Sequence, residues 1–112
     1  KQWYLGKSLD GFTPMGPCIV TADEIGDEQA LDISCTVNGE LRQSSNTRYM
    51  IQTVSGAIAE LSEGMKLAAG TIIATGTPAG VGMGMKPPTF LQHGDKIVCS
   101  IEKIGSLKNV ID

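Results

Sequence analysis

The sequence predicts a mainly β fold with one packed helix, an α+β arrangement, and three observations lead there. Two stretches alternate apolar and polar residues with a period of two, one mid-chain stretch repeats its apolar residues at helical spacing, and the remainder is punctuated by 14 Gly and 5 Pro. That share of turn-forming residues exceeds the usual composition and nearly excludes an all-helical bundle.

Taken in order, the first segment, Lys1 to Gly16, is polar, punctuated by Gly and Pro and with little periodicity, so a loop is expected. Cys18-Ile19-Val20-Thr21 reads as a short strand-like run. Thr21 three residues before Glu24 has the spacing of a capping box and predicts a short helical turn. From Leu31 to Val37, Leu31, Ile33, Cys35 and Val37 alternate with Asp32, Ser34 and Thr36, the pattern of a half-buried strand. Asn38-Gly39 supplies two residues that tolerate positive φ, and Glu40 to Ser44 returns as the partner strand of a tight hairpin. Ser45-Asn46-Thr47 offers caps, and Ile51, Val54, Ile58 and Leu61 lay one apolar stripe along a helix that stops near Gly64. Thr71 to Thr75 is short and β-branched, which predicts a buried strand running into a long Gly/Met/Pro loop that ends at Pro88. Lys96 to Glu102 alternates again, Gly105 marks a turn, and Leu107 to Ile111 completes a second hairpin.

Composition bounds the function. The 112 residues suffice for one domain or less, and 9 Lys+Arg against 12 Asp+Glu leave no basic face with which to grip nucleic acid. No apolar run approaches the roughly 18 to 20 residues of a membrane span. Three cysteines, odd in number and widely spaced, fit reduced thiols in the cytoplasm better than a disulfide framework or a zinc site. The opening Lys1-Gln2-Trp3-Tyr4 has neither an initiator Met nor a signal pattern, so a start in mid-sequence or a processed end is expected.

Chemistry is expected in the two long loops. His93, the sole histidine, lies in a turn without a motif partner, and no GxSxG surrounds any serine, which disfavours a Ser or Cys triad. Gly80 to Lys86 lacks the third Gly of GxGxxG and any GK[ST], so a packed surface loop competes with phosphate cradling. Asp10, Asp23, Glu24, Asp27 and Glu28 have no EF-hand spacing and read as solvated acids. Lys7 sits between small residues in Leu5-Gly6-Lys7-Ser8, where an ammonium can bind a carboxylate or stabilise a developing oxyanion; an ordinary surface lysine is the competing reading. Gly76-Thr77, directly after the Thr71–Thr75 run, offers close backbone approach, a hydroxyl and N–H groups to a carboxylate, or is a plain strand-ending turn.

Three stretches, KSLDGFTPMGPCIVTADEI, LDISCTVNGELRQSSNTRYMI and IIATGTPAGVGMGMKPPTFLQHGDKIVCSIEKIGSLKN, resemble in order the C-terminal half of the fumarylacetoacetate hydrolase family. The likeness is nearest to its bacterial 2-hydroxyhepta-2,4-diene-1,7-dioate isomerases and acylpyruvate hydrolases. It implies that residues 1–112 are the C-terminal part of a single catalytic domain with a mixed β-sandwich roll, incomplete in this chain, and usually a homodimer. It further implies a 2-oxo acid substrate whose C–C or C–H bond is broken or rearranged through a metal-stabilised enolate, by hydrolysis, isomerisation or decarboxylation. Lys7 matches the family's active-site lysine, and Gly76 with Thr77 match its carboxylate-binding pair. The divalent metal, Mg²⁺, Mn²⁺ or Ca²⁺, is held in the family by acidic residues that would lie upstream of Lys1, so no metal ligand is expected in this chain. Leu9 and Gly11 depart from the common Phe and Thr after the lysine, and Ala69-Gly70-Thr71 from a frequent Pro-Gly-Asp. The alternative is a catalytically silent structural fragment or a carboxylate-binding module.

Overall fold

The structure, a computed structural model, describes residues 2–112. Its frame is one four-stranded antiparallel sheet of strands β1 (Asp32–Val37), β2 (Glu40–Asn46), β3 (Lys96–Ile101) and β4 (Gly105–Val110), in the order β2-β1-β3-β4. Helices are few: α1 (Trp3–Ser8), α2 (Ala22–Ile25) and α3 (Val54–Gly64). This is the mainly β architecture that the alternating stretches predict.

The first hairpin forms where expected. Asn38 and Gly39 have φ of 53° and 83°, the positive pair that a two-residue turn needs to match strand twist. Asn38 does more than turn the chain. Its backbone N–H donates to the Lys96 carbonyl at 2.8 Å, its side-chain oxygen accepts from the Lys96 N–H at 2.9 Å, and its amide donates to Asp95 at 2.8 Å. One residue thus ties the first hairpin to the start of β3. At the other end, buried Asn46 donates to Asp32 at 2.7 Å and accepts from the Arg48 N–H at 3.0 Å, leaving neither end of its amide unsatisfied.

Register assigns the faces. Residues directly opposite one another in antiparallel strands point to the same side. Gln43, Cys35, Cys99 and Leu107 therefore share one face, together with Ile33, Val37, Ile97 and Ile101. The other face carries a row of hydroxyls, Ser44, Ser34, Ser100 and Ser106, crossing all four strands, with Ser100 and Ser106 in contact at 2.6 Å. Arg42 is an extra residue in β2, since Cys35 pairs with Gln43 and Thr36 with Leu41.

Four expectations are corrected. The segment read as a loop up to Gly16 opens with α1; one and a half turns are too short to show a 3.6-residue period. The helical turn after Thr21 is present as α2, but Thr21 makes no side-chain cap bond; the turn is held instead by Ile25, buried, and by Lys103, which donates to the Ile25 carbonyl at 2.8 Å. Thr71–Thr75 forms no strand, because β-branched sequence favours an extended backbone but a strand also requires a ladder partner. The long helix is three residues shorter at its start than its stripe suggested. Thr53 caps it, accepting from the Gly56 N–H at 3.0 Å, and Ile51 lies outside, fully exposed.

The core is small. Ile25 and Leu31 are the buried apolar side chains among the described residues, whereas Trp3, Phe12, Ile19, Ile72 and Phe90 all stand more than half exposed. Even α3, expected to be packed, has no buried residue. A radius of gyration of 15.2 Å also exceeds the roughly 13 Å of a self-contained domain of this length.

Candidate functional site

Lys7 occupies the last turn of α1, where an ammonium is favoured by the carbonyl end of the helix. The turn is closed by the Ser8 hydroxyl donating to the Tyr4 carbonyl at 2.8 Å and by the Thr13 hydroxyl donating to the Lys7 carbonyl. Gln2, Trp3, Gly6 and Lys7 line a shallow cavity of about 220 Å³. Lys7 is exposed there.

Downstream of α1 the chain returns to the sheet. A Cβ on Gly16 would lie 3.4 Å from the Leu107 side chain, a Cβ on Gly105 would meet Pro17 at 3.3 Å, and the Cys18 thiol points to the Ile104 carbonyl at 3.7 Å. The segment bearing Lys7 is therefore moored on β4, on the face shared by Leu107 and Gln43.

Gly76 and Thr77 lie in the second loop, Gly76 with φ of 100°, a conformation that favours glycine. The loop is fastened to β2. The Gln43 side-chain amide donates to the Thr77 hydroxyl oxygen at 2.8 Å and to the Pro78 carbonyl at 2.8 Å. Gly80, at φ of 106°, crosses β2 so closely that a Cβ there would sit 2.0 Å from the Arg42 carbonyl oxygen, and a Cβ on Gly82 would sit 1.9 Å from the Thr89 carbonyl oxygen. Close backbone approach accounts for Gly80 and Gly82, as the packed-loop reading had it, whereas a Cβ on Gly76 would meet nothing within 4 Å.

Both loops thus meet the same face of the sheet from opposite edges, β4 for the Lys7 segment and β2 for the Thr77 segment. Three strand spacings separate those edges, about 14 Å. No hydrogen bond among the described residues joins Lys7 to Gly76 or Thr77. Between them on the face lie Cys35 and Cys99, directly opposed with sulfurs 3.7 Å apart. Burial, then the neighbouring Cys99 thiol, pushes the Cys35 thiol up to about 11, so Cys35 stays protonated at neutral pH.

Other candidates resolve without chemistry. His93 is exposed in the turn before β3, as expected. In that turn the Gln92 N–H, donating at 2.8 Å, and then the Asn38 amide hold the Asp95 carboxyl below the usual carboxylate range. Among the described residues no three His, Cys, Asp or Glu side chains gather as a metal would require, so these residues do not by themselves fit a divalent-metal site. No described helix is long and apolar enough to cross a membrane.

Gln43 escaped the sequence reading. It lies within the stretch VNGELRQSSNT, but an amide side chain has no spacing signature, and its role shows only once β2 and the 76–80 loop are brought together.

Comparison with known proteins matches this architecture. The family model described as the fumarylacetoacetate hydrolase C-terminal domain matches residues 1–112. The chain is 50% identical over 111 residues to the mitochondrial oxaloacetate tautomerase Fahd2a of Rattus norvegicus, covering 99% of this chain and 36% of the relative. Among solved structures, a fumarylacetoacetate hydrolase from psychrophilic Exiguobacterium antarcticum superposes with a TM-score of 0.94 at 55% identity, over 99% of this chain and 40% of that one. Maleylpyruvate hydrolase from Sphingobium sp. SYK-6, in complex with manganese(II) and pyruvate, superposes with a TM-score of 0.83 at 42% identity, over 94% of this chain and 37% of that one. The chain therefore spans well under half the length of these relatives, which are enzymes, and it belongs to the fumarylacetoacetate hydrolase family.

Proposed function

We propose that the complete protein, with this chain as the C-terminal part of one catalytic domain, is an enzyme acting on 2-oxo acids. It breaks or rearranges a C–C or C–H bond next to the 2-oxo group by stabilising the enolate that results, whether as hydrolase, isomerase or decarboxylase. The observation that carries the reading is the anchored Gly76-Thr77 loop on the sheet face that also moors the Lys7 segment. The loop supplies a hydroxyl and backbone N–H groups to the substrate carboxylate, and a substrate so fixed reacts as if intramolecular. Lys7 contributes a fixed positive charge where the enolate oxygen develops. The divalent metal, Mg²⁺, Mn²⁺ or Ca²⁺, belongs in this reading to carboxylates outside the chain. A soluble cytoplasmic homodimer completes the proposal; three free thiols agree with a reducing compartment.

In the complete protein, Lys7→Ala is expected to lower kcat by at least about 100-fold, the scale of losing one group that stabilises a developing oxyanion, with an unchanged melting temperature. Full turnover in that variant would remove Lys7 from the mechanism. A second reading concerns the chain alone: its exposed apolar side chains and the lack of a gathered metal-ligand set among its described residues favour a catalytically silent structural fragment or a carboxylate-binding module without turnover. Turnover of any 2-oxo acid by the isolated chain during a metal titration would sink it.

A further inference from the structure

We infer that Gln43 is a positioning residue for the 2-oxo acid carboxylate, acting through Thr77: it takes up an acceptor site of the Thr77 hydroxyl and leaves the hydroxyl proton free for the substrate. This rests on the proposed function of Thr77 and goes one step further, to what gives that hydroxyl its direction.

A threonine hydroxyl has one proton to donate and two lone pairs that accept. Left alone it rotates, and a carboxylate would have to order it on binding. Here the Gln43 amide donates to the Thr77 oxygen at 2.8 Å. Its second proton goes to the Pro78 carbonyl at 2.8 Å. The same nitrogen serves both acceptors, so the amide cannot turn over without losing two hydrogen bonds. Neither bond lets Thr77 donate back, because the nitrogen of an amide does not accept. The hydroxyl proton is consequently left for an acceptor other than Gln43.

The placement of Gln43 is itself well fixed. It is half-buried in β2, opposite Cys35 in register, and the Gly80 backbone closes over it, a Cβ at Gly80 lying 3.0 Å from the Gln43 side chain. Glutamine suits this task and glutamate does not. A carboxylate of the same size has no proton to give either acceptor; it would take the Thr77 proton for itself, facing the Pro78 carbonyl with a second negative oxygen and setting a negative charge beside the substrate's own.

The test uses the complete protein with Mn²⁺ and pyruvate as probe, measuring affinity by titration calorimetry and folding by thermal unfolding. Gln43→Met, which keeps the size and loses the donors, is expected to weaken pyruvate about 10-fold. Gln43→Glu is expected to weaken it about 100-fold, although it is closer in shape to the native residue. In a Thr77→Val background, Gln43→Met should change affinity less than 2-fold, because the hydroxyl through which it acts is gone. A purely structural role predicts a different outcome: additive losses in the double variant, and Gln43→Glu milder than Gln43→Met. Either result overturns the inference. Should Gln43→Met not fold, the isosteric Gln43→Glu still decides, since unaltered affinity there overturns the role of Gln43. Thr77→Val with unaltered affinity overturns the carboxylate-binding reading of Thr77, and the inference with it; weakened binding in Thr77→Val beside unaltered binding in Gln43→Glu overturns Gln43 alone.

Discussion

The sheet and the segment that precedes it are built on different terms. Across β1 to β4 each strand has a partner, and polar side chains such as Asn38 and Asn46 are satisfied by named neighbours. From Gln2 to Ile19 the apolar residues are exposed, Tyr4 at 84% and Ile19 at 97%. Surface of that kind usually marks a place where something else docks. The contrast teaches that the frame is specified within the chain, whereas the Lys7 segment takes its place from a few mooring points at Gly16, Pro17 and Cys18 and leaves its apolar side chains uncovered.

The comparison is broken most severely at the crossing of the second loop over β2. Gly80→Ala should cost about 4 kcal/mol, combining overpacking against the Arg42 carbonyl with an unfavourable positive φ. A denaturant midpoint within error of the wild type would show that the loop can lift off β2 freely. Next in size, Leu31→Ala, at a buried position beside β1, should cost about 3 kcal/mol. Ile19→Ser in the isolated chain should stay within about 0.5 kcal/mol. Equal losses at the two positions would erase the distinction between frame and uncovered segment. The smallest effect lies in pH. Asp95 has its folded-state pKa held down by the Gln92 N–H and the Asn38 amide, so it stabilises the fold above the unfolded carboxylate value of about 3.9. That contribution is lost as pH falls through the depressed value. Unfolding midpoints of Asp95→Asn should accordingly be flatter below pH 4 than those of the native protein.

How much was legible follows from how each element is held. Both hairpins are legible because alternation and Asn38-Gly39 act over neighbouring residues, although the second turn falls at 102–104 and Gly105, expected in the turn, already pairs with Ile101 in β4. The start of α3 was misread since its apolar stripe extends back to Ile51, and only the Thr53 cap settles where the helix begins. Thr71–Thr75 shows the converse, an extended sequence whose ladder partner is not among the described residues. Lys7, Gly76 and Thr77 stand out in the sequence as motif residues, yet the sheet face on which the Gly16–Cys18 mooring and the Thr77 loop meet does not, because it depends on the β1–β3 register between segments far apart in sequence. Gln43 is invisible in the sequence because its partners, Thr77 and Pro78, meet β2 only in the folded chain.

That β1–β3 pairing carries a consequence for how the molecule forms. Residues 38–95, including β2, α3 and the Thr77 loop, lie inside the ring of chain it closes. Each hairpin can zip from its own turn, but joining them spends the entropy of ordering that whole ring, a cost that rises only slowly with its length and is met late. Refolding should therefore begin with two independent ribbons, and the carboxylate loop acquires its shape only after they have found each other.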